Sequence, residues 1–368
     1  MGEARTGGEA ALSGVTAELD AALRHAAAQA PGSAAFAELL DSLHVHVGAG
    51  KLIRPRLVEL GWRLATADPV PPSGRAAVDR LGAAFELLHT ALLVHDDVID
   101  RDVLRRGQPA VHASARHRLE ARGVPAADAA HAGVAVALIA GDVLLTQAFR
   151  LAATCAADTA RAAEAAAVVF DAAAVTAAGE LEDVLLGLSR HTGEEPDPDR
   201  ILAMQRLKTA HYTVGAPLRA GALLAGADPD LARAMGEAGA DLGAAYQVID
   251  DVLGVFGDPG ETGKSADGDL REGKATVLTA HGRRIPAVCA LLDAGPATPA
   301  DIEAAHRALE AAGAREHALD VAAELTVRVE ALEPLREDLG QAREIEQLRR
   351  FLAPGSGYRS TPAKMFHD

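Results

Sequence analysis

The chain has 368 residues; 49% are hydrophobic, much of that alanine, and only 3% are aromatic. Alanine favours helices and is a poor strand former, so this composition argues against a sheet-based fold and for an all-α protein. The formal net charge of -16 repels a phosphate backbone and argues against nucleic acid as a partner. Cys155 and Cys289 lie outside any CxxC or Cys/His cluster, which argues against a zinc site or a disulfide framework.

The opening MGEARTGGEAALSG has no basic stretch followed by an apolar core, so no secretory leader is expected. No charge-free run of about 18 apolar residues occurs, so no transmembrane segment is expected either, and the expected location is cytoplasmic. Residues 1–8 and 355–368 read as loose ends. Between them the pattern is helical. Gly and Pro collect at residues 48–51, 67–74, 107–109, 123–125, 193–198, 226–229 and 257–273. None of these breaks is a linker and no fixed-period repeat appears. The expectation is one domain over residues 1–368, a large helical bundle around a deep central cavity.

In chain order, the first chemical signal is Gly50-Lys51-Leu52-Ile53-Arg54-Pro55, with two basic residues about one turn apart at a helix start, where proline is well placed. A long helix follows over Ala76 to Asp100, with Leu81, Ala84, Phe85, Leu88, Leu92 and Val98 at helical spacing. His89 lies on the face of Asp96, two turns earlier. His95, His112 and His211 read as packing groups.

The helix closes on His95-Asp96-Asp97-Val98-Ile99-Asp100. Asp96 and Asp100 are spaced i, i+4 and so lie one above the other at a helix C-terminus. Like charges there repel, and the helix dipole disfavours both. A local penalty of this kind marks function. Carboxylate oxygens are what magnesium prefers, and magnesium commonly bridges to phosphate. Alone, the cluster reads equally well as a solvated helix end.

Arg105 and Arg106 follow at a Gly107 turn. A second long helix, Arg200 to Ala225, carries Lys208-Thr209 in apolar surroundings. A third, Pro229 to Leu253, closes on Tyr246-Gln247-Val248-Ile249-Asp250-Asp251-Val252-Leu253-Gly254, a second acidic helix end. Lys264 and Lys274 flank the Gly/Asp-rich loop beyond it. Repetition of one unfavourable arrangement points to a shared purpose. Basic residues beside acidic clusters in so acidic a chain read as anion sites, although each alone reads as a surface ion pair.

Together these motifs resemble the trans-isoprenyl diphosphate synthases, the polyprenyl synthetase family, and within it synthases of the geranylgeranyl diphosphate type. ELLHTALLVHDDVIDRDVLRRGQPAVH, Glu86 to His112, resembles the family's first aspartate-rich region. Gly50 to Pro55 resembles its GKxxRP motif, and Tyr246 to Thr276 its second aspartate-rich region with the GK…DL…GK segment that follows. The resemblance runs from about residue 35 to residue 280, with the motifs in the family's order.

The resemblance implies a magnesium-dependent prenyltransferase that joins isopentenyl diphosphate to an allylic diphosphate, working as a homodimer. Lys51, Arg54, His89 and Arg106 would bind isopentenyl diphosphate. Asp96, Asp100 and Asp250 would hold three magnesium ions, with Asp97 and Asp251 in support. Arg105, Lys208, Lys264 and Lys274 would contact the allylic diphosphate. Lys208, Thr209 and Gln247 would be catalytic, the latter two turning oxygen dipoles toward the developing carbocation. The family's second motif usually ends in a third aspartate; here Gly254 stands there, which puts metal affinity or rate on that side in doubt. Asp258 lies four residues beyond it.

Product length would depend on Ala91 and Leu92, one turn above Asp96, where synthases that stop at C15 tend to carry aromatic rings. A small Ala91 implies C20, geranylgeranyl diphosphate, with farnesyl or longer products as alternatives. A class I terpene cyclase would have no use for Lys51, Arg54 and Arg106. A non-catalytic synthase subunit would usually lose an aspartate motif, and Gly254 hints mildly at that.

Overall fold

The computed structural model describes residues 3–188, 197–257, 270, 274–295 and 298–330. Apart from one two-residue hairpin, every regular element among them is helical, as the alanine content requires. The chain forms two compact units, Met1–Phe170 with Ala220–Ala227, and Asp171–Arg219 with Asp228–Asp368.

The first unit contains α1 (Glu3–Gln29), α2 (Ala34–Leu43), α3 (Ile53–Thr66), α4 (Pro72–Ile99), α5 (Val111–Ala121), α6 (Ala126–Ala153) and the beginning of α7 (Thr159–Gly187). The segment 1–8, expected to be loose, is thus helical from Glu3. α4 is the central element and packs on α1, α3 and α6. Its apolar stripe, Leu81, Phe85, Leu88 and Ala91, is fully buried. α6 meets it with Ala137, Ala140, Leu144 and Ala148, also buried. Small side chains on α6 let two long helices approach closely.

Between α4 and α5, β1 (Leu104–Arg105) pairs antiparallel with β2 (Gln108–Pro109). The two residues between them, Arg106 and Gly107, have φ of 53° and 73°. Positive φ at both central positions is the signature of the turn whose twist suits a two-residue hairpin.

The second unit holds the remainder of α7, then α8 (Pro198–Gln205), a π-helical stretch (Arg206–Gly215), α9 (Ala216–Ala225, shared with the first unit), α10 (Pro229–Phe256), α11 (Val277–Arg283), α12 (Pro286–Asp293), α13 (Pro299–Ala311) and α14 (Ala314–Glu330). Side-chain caps fix several starts: Asp197, Asp228, Thr276 and Thr298 each accept from a backbone N–H of the first turn. α10 packs on the π-helical stretch and on α14. Its buried residues Ala244, Val248, Ile249 and Val252 join Ile201, Met204, Leu278, Leu309 and Leu325 in one core.

The helix expected over Arg200 to Ala225 is therefore three pieces. The ten residues Arg206–Gly215 are wound as a π-helix. A π turn has no signature in hydrophobic spacing and arises where packing forces an extra residue into a turn.

Among the described residues, α6 and α7 are long and apolar enough, by length and composition, to cross a membrane. α6 carries Asp128 and Asp142 within that length and buries its alanines on α4, so its apolarity serves the first unit's core.

Candidate active site

The first acidic motif closes α4. The backbone N–H of Asp100 donates to the Asp96 carbonyl at 2.8 Å, which keeps the last turn helical and stacks the two side chains. Carboxylate oxygens of Asp96 and Asp100 come within 4.8 Å of each other. The donor set fits a hard divalent cation: oxygen only, at a helix C-terminus where a cation relieves both the mutual repulsion and the dipole penalty.

Asp97 is buried at 3% exposure. Arg105 Nε donates to its Oδ1 at 2.6 Å, while Nη2 reaches Asp96 Oδ2 at 3.2 Å and Asp102 Oδ2 at 3.1 Å. The hairpin thus folds Arg105 back over the helix end. Burial pushes the Asp97 carboxyl up to about 6, against the opposing pull of Arg105.

Three of the four residues assigned to isopentenyl diphosphate converge in the first unit. Arg54 lies in the first turn of α3 and is buried. The next residue, Pro55, sits on α4 at Gly82, where a Cβ would stand 2.9 Å from the proline ring. Glu86 and His89 are one and two turns further along that face of α4. His89 is buried and held well below its ordinary pKa, by burial and then by Arg54, Arg106 and Arg105. Its neutral ring keeps one N–H to donate. Arg106 projects from the hairpin over Gly50, where a Cβ would come within 2.9 Å of Nη1. Lys51, next in the chain and half-buried, belongs to that same loop, beside the left-handed Leu52 at φ 51°.

Glu86 was not among the expected site residues, yet it lies in the field of Arg54 and Arg106; burial raises its carboxyl against the lowering by both guanidinium groups. The available signal was one acid in an otherwise apolar turn. Ala91 is fully buried and Leu92 half-buried on α4.

In the second unit the π-helical stretch carries Lys208 and Thr209. Lys208 Nζ pairs with Glu180 at 3.1 Å and with Asp183 at 2.6 Å, both on α7. Gly179 makes this approach possible: a Cβ there would stand 2.2 Å from the Lys208 backbone nitrogen. Glu180 and Asp183 were missed in the sequence, although an i, i+3 acidic pair in an alanine-rich helix was a legible cue.

The second acidic motif ends α10. Gln247 Nε2 donates to Asp251 Oδ1 at 2.9 Å. Gln205 Nε2, from the end of α8, donates to Asp251 Oδ2. Asp251 is therefore buried and bound on both oxygens, whereas Asp250 is half-buried. Burial and then Asp250 raise the Tyr246 hydroxyl. Gly254 falls on the last turns of α10. Lys274 is exposed just before α11, with its carbonyl accepting from Thr279 Oγ1 at 3.0 Å. Lys264 and Asp258 lie outside the described residues.

Residues 37–306, a span that runs through both units, match the family model described as Polyprenyl synthetase. A geranylfarnesyl diphosphate synthase from Aeropyrum pernix is 34% identical over 248 residues, covering 65% of this chain and 68% of that one. A second, from Natronomonas pharaonis, is 33% identical over 83% of this chain and 86% of its own. Among solved structures, a geranylgeranyl pyrophosphate synthase from Corynebacterium glutamicum, complexed with isoprenyl diphosphate and magnesium, is 30% identical. The similarity covers 96% of this chain and 98% of that one, with a TM-score of 0.79.

Proposed function

Since the chain belongs to the polyprenyl synthetase family and is a prenyltransferase of the all-α isoprenoid synthase fold, we propose that it joins isopentenyl diphosphate to an allylic diphosphate and makes geranylgeranyl diphosphate. The observation that carries the reading is the Asp96–Asp100 pair, stacked at the end of α4 with Arg105 folded over it.

Both acidic motifs serve the allylic diphosphate, the first through Asp96 and Asp100 and the second through Asp250. Asp96, Asp100 and Asp250 would hold the magnesium ions, three by the family resemblance, which would supply positive charge to the departing diphosphate. Arg105, Lys208, Lys264 and Lys274 hold its phosphate oxygens. Lys208 has three donors, enough to keep a carboxylate partner on α7 while binding phosphate. Lys51, Arg54, His89 and Arg106 hold isopentenyl diphosphate with no metal.

The allylic C–O bond breaks with both electrons leaving on diphosphate. The double bond of isopentenyl diphosphate attacks the allylic carbon, and a proton lost to the released diphosphate restores a double bond. Thr209 and Gln247 turn oxygen dipoles to the cation, and the apolar face of α4 past Leu92 and Ala91 keeps water away. No protein nucleophile is needed.

The names of the two relatives favour a second reading, one C5 addition further, which the buried methyl of Ala91 also permits. The working form is a cytoplasmic homodimer. Incubation of the purified protein with labelled isopentenyl diphosphate, magnesium and C5, C10 or C15 allylic primers, followed by chromatography, tests the proposal. Elongation to C20 supports it. No elongation with any primer overturns it, and a cyclic hydrocarbon would indicate a cyclase.

A further inference from the structure

We propose that Gln205 is a positioning residue for the magnesium–diphosphate side of the reaction, acting through Asp251; this rests on the function proposed above. Gln205 is the last residue of α8, 5% exposed. Its carboxamide donates to Asp251 Oδ2, while Gln247 donates to Oδ1. Two neutral donors from different helices thus take the two oxygens of one buried carboxylate.

The arrangement carries a cost on the acceptor side of the carboxamide. Gln205 Oε1 is buried with no hydrogen-bond partner among the described residues. A buried acceptor left unsatisfied costs free energy that an apolar side chain of the same size avoids. What the glutamine supplies is its donor, and the recipient neighbours the proposed metal ligand Asp250. With both oxygens accepting, Asp251 is an anchor that sets the rotation of the α10 end and so the direction in which Asp250 presents its carboxylate. Gly254 adds to the importance of that direction, because the helix end has no third acid to share the load.

Gln205 also immediately precedes the π-helical stretch that carries Lys208 and Thr209. One hydrogen bond therefore fixes the start of that stretch to the second acidic motif. Both sets of groups face the allylic diphosphate in the proposed function, whereas the isopentenyl diphosphate residues lie in the other unit. The expected phenotype is correspondingly one-sided.

The test uses Q205M, similar in size but without the donor, in the full-length protein. Half-saturating magnesium and the allylic KM are expected to rise about tenfold, the loss of one hydrogen bond to a charged group, with the isopentenyl diphosphate KM unchanged. Calorimetric titration of magnesium into protein saturated with inorganic diphosphate should show the same weakening without turnover. In a D251N background, Q205M should add little, since the route through Asp251 is already broken. Q205E, which puts a second carboxylate against Asp251, should shift magnesium in the same direction and serves if Q205M does not fold. A lower melting temperature with magnesium dependence and both KM values at wild-type levels would overturn the inference and leave Gln205 a packing residue. Full additivity with D251N would overturn it too. Absence of product from the wild-type chain would instead sink the proposed function, and the calorimetric arm would still decide the role of Gln205 in metal binding.

Discussion

Arg105 Nε donates to Oδ1 of Asp97 at 2.6 Å, joining a hairpin guanidinium to a carboxylate that is 3% exposed. The pair lies immediately behind Asp96 and Asp100, so the integrity of the helix end and the direction of its carboxylates depend on one arginine.

Replacing Arg105 by Gln leaves the Asp97 charge buried and uncompensated. We expect a loss of about 2–3 kcal/mol in folding stability, below the range for fully buried pairs because the Arg105 side chain is 27% exposed. Urea denaturation measures it. D97N in the same background should recover part of the loss, since the orphaned charge is gone.

Asp100→Asn separates function from folding. It removes a negative charge from a helix C-terminus, so stability without divalent cations should hold or rise, by up to ~1 kcal/mol. Turnover at fixed magnesium should fall about 100-fold, the scale for losing an electrostatic stabiliser. A large drop in melting temperature would mean that the carboxylate is structural.

Ala91→Phe tests the length determinant. Ala91 is fully buried, so a ring there costs about 1–3 kcal/mol in strain and projects across the α4 face assigned to the growing chain. Shorter products, read by chromatography, are expected. An unchanged product distribution would show that Ala91 does not set product length.

His89 makes acid stability informative. Its pKa is lowered by burial and by Arg54, Arg106 and Arg105, so the unfolded chain binds its proton at higher pH than the folded one. That contribution to stability is present above about 6.5, the ordinary histidine value, and is lost as pH falls toward the lowered value. His46, His112, His211 and His281 shift the same way, so the measurement is a difference. Between pH 7 and pH 5, His89→Gln should lose less stability than the wild type. Parallel curves would show that His89 is not held neutral.

Much of the site was legible because its parts are local. The spacing of Asp96 and Asp100 and the repeat of the same ending at Asp250 follow from a 3.6-residue period and can be counted along the chain. The helices Pro72–Ile99 and Pro229–Phe256 agree with the apolar spacing to within a few residues. The convergence of Arg54, His89 and Arg106 was expected only from the family resemblance, since no spacing rule connects residues on α3, α4 and a hairpin.

Other features were illegible because they depend on which helices cross. Lys208 was expected to contact the allylic diphosphate, but its carboxylate partners Glu180 and Asp183, met across the gap left by Gly179, were not foreseen. Glu86 lies in the field of Arg54 and Arg106, and Gln205 reaches Asp251 from another helix. The π-helical winding of Arg206–Gly215 leaves no trace in apolar periodicity.

Composition and short-range pattern, acting within a few turns of chain, by themselves determined the long helices and the acidic helix ends; the reaction class came from the resemblance of the motifs to a known family. The tertiary structure alone decided the partner of each charge, because the worth of a buried ion pair or hydrogen bond depends on desolvation and approach distance, which exist only once distant helices pack.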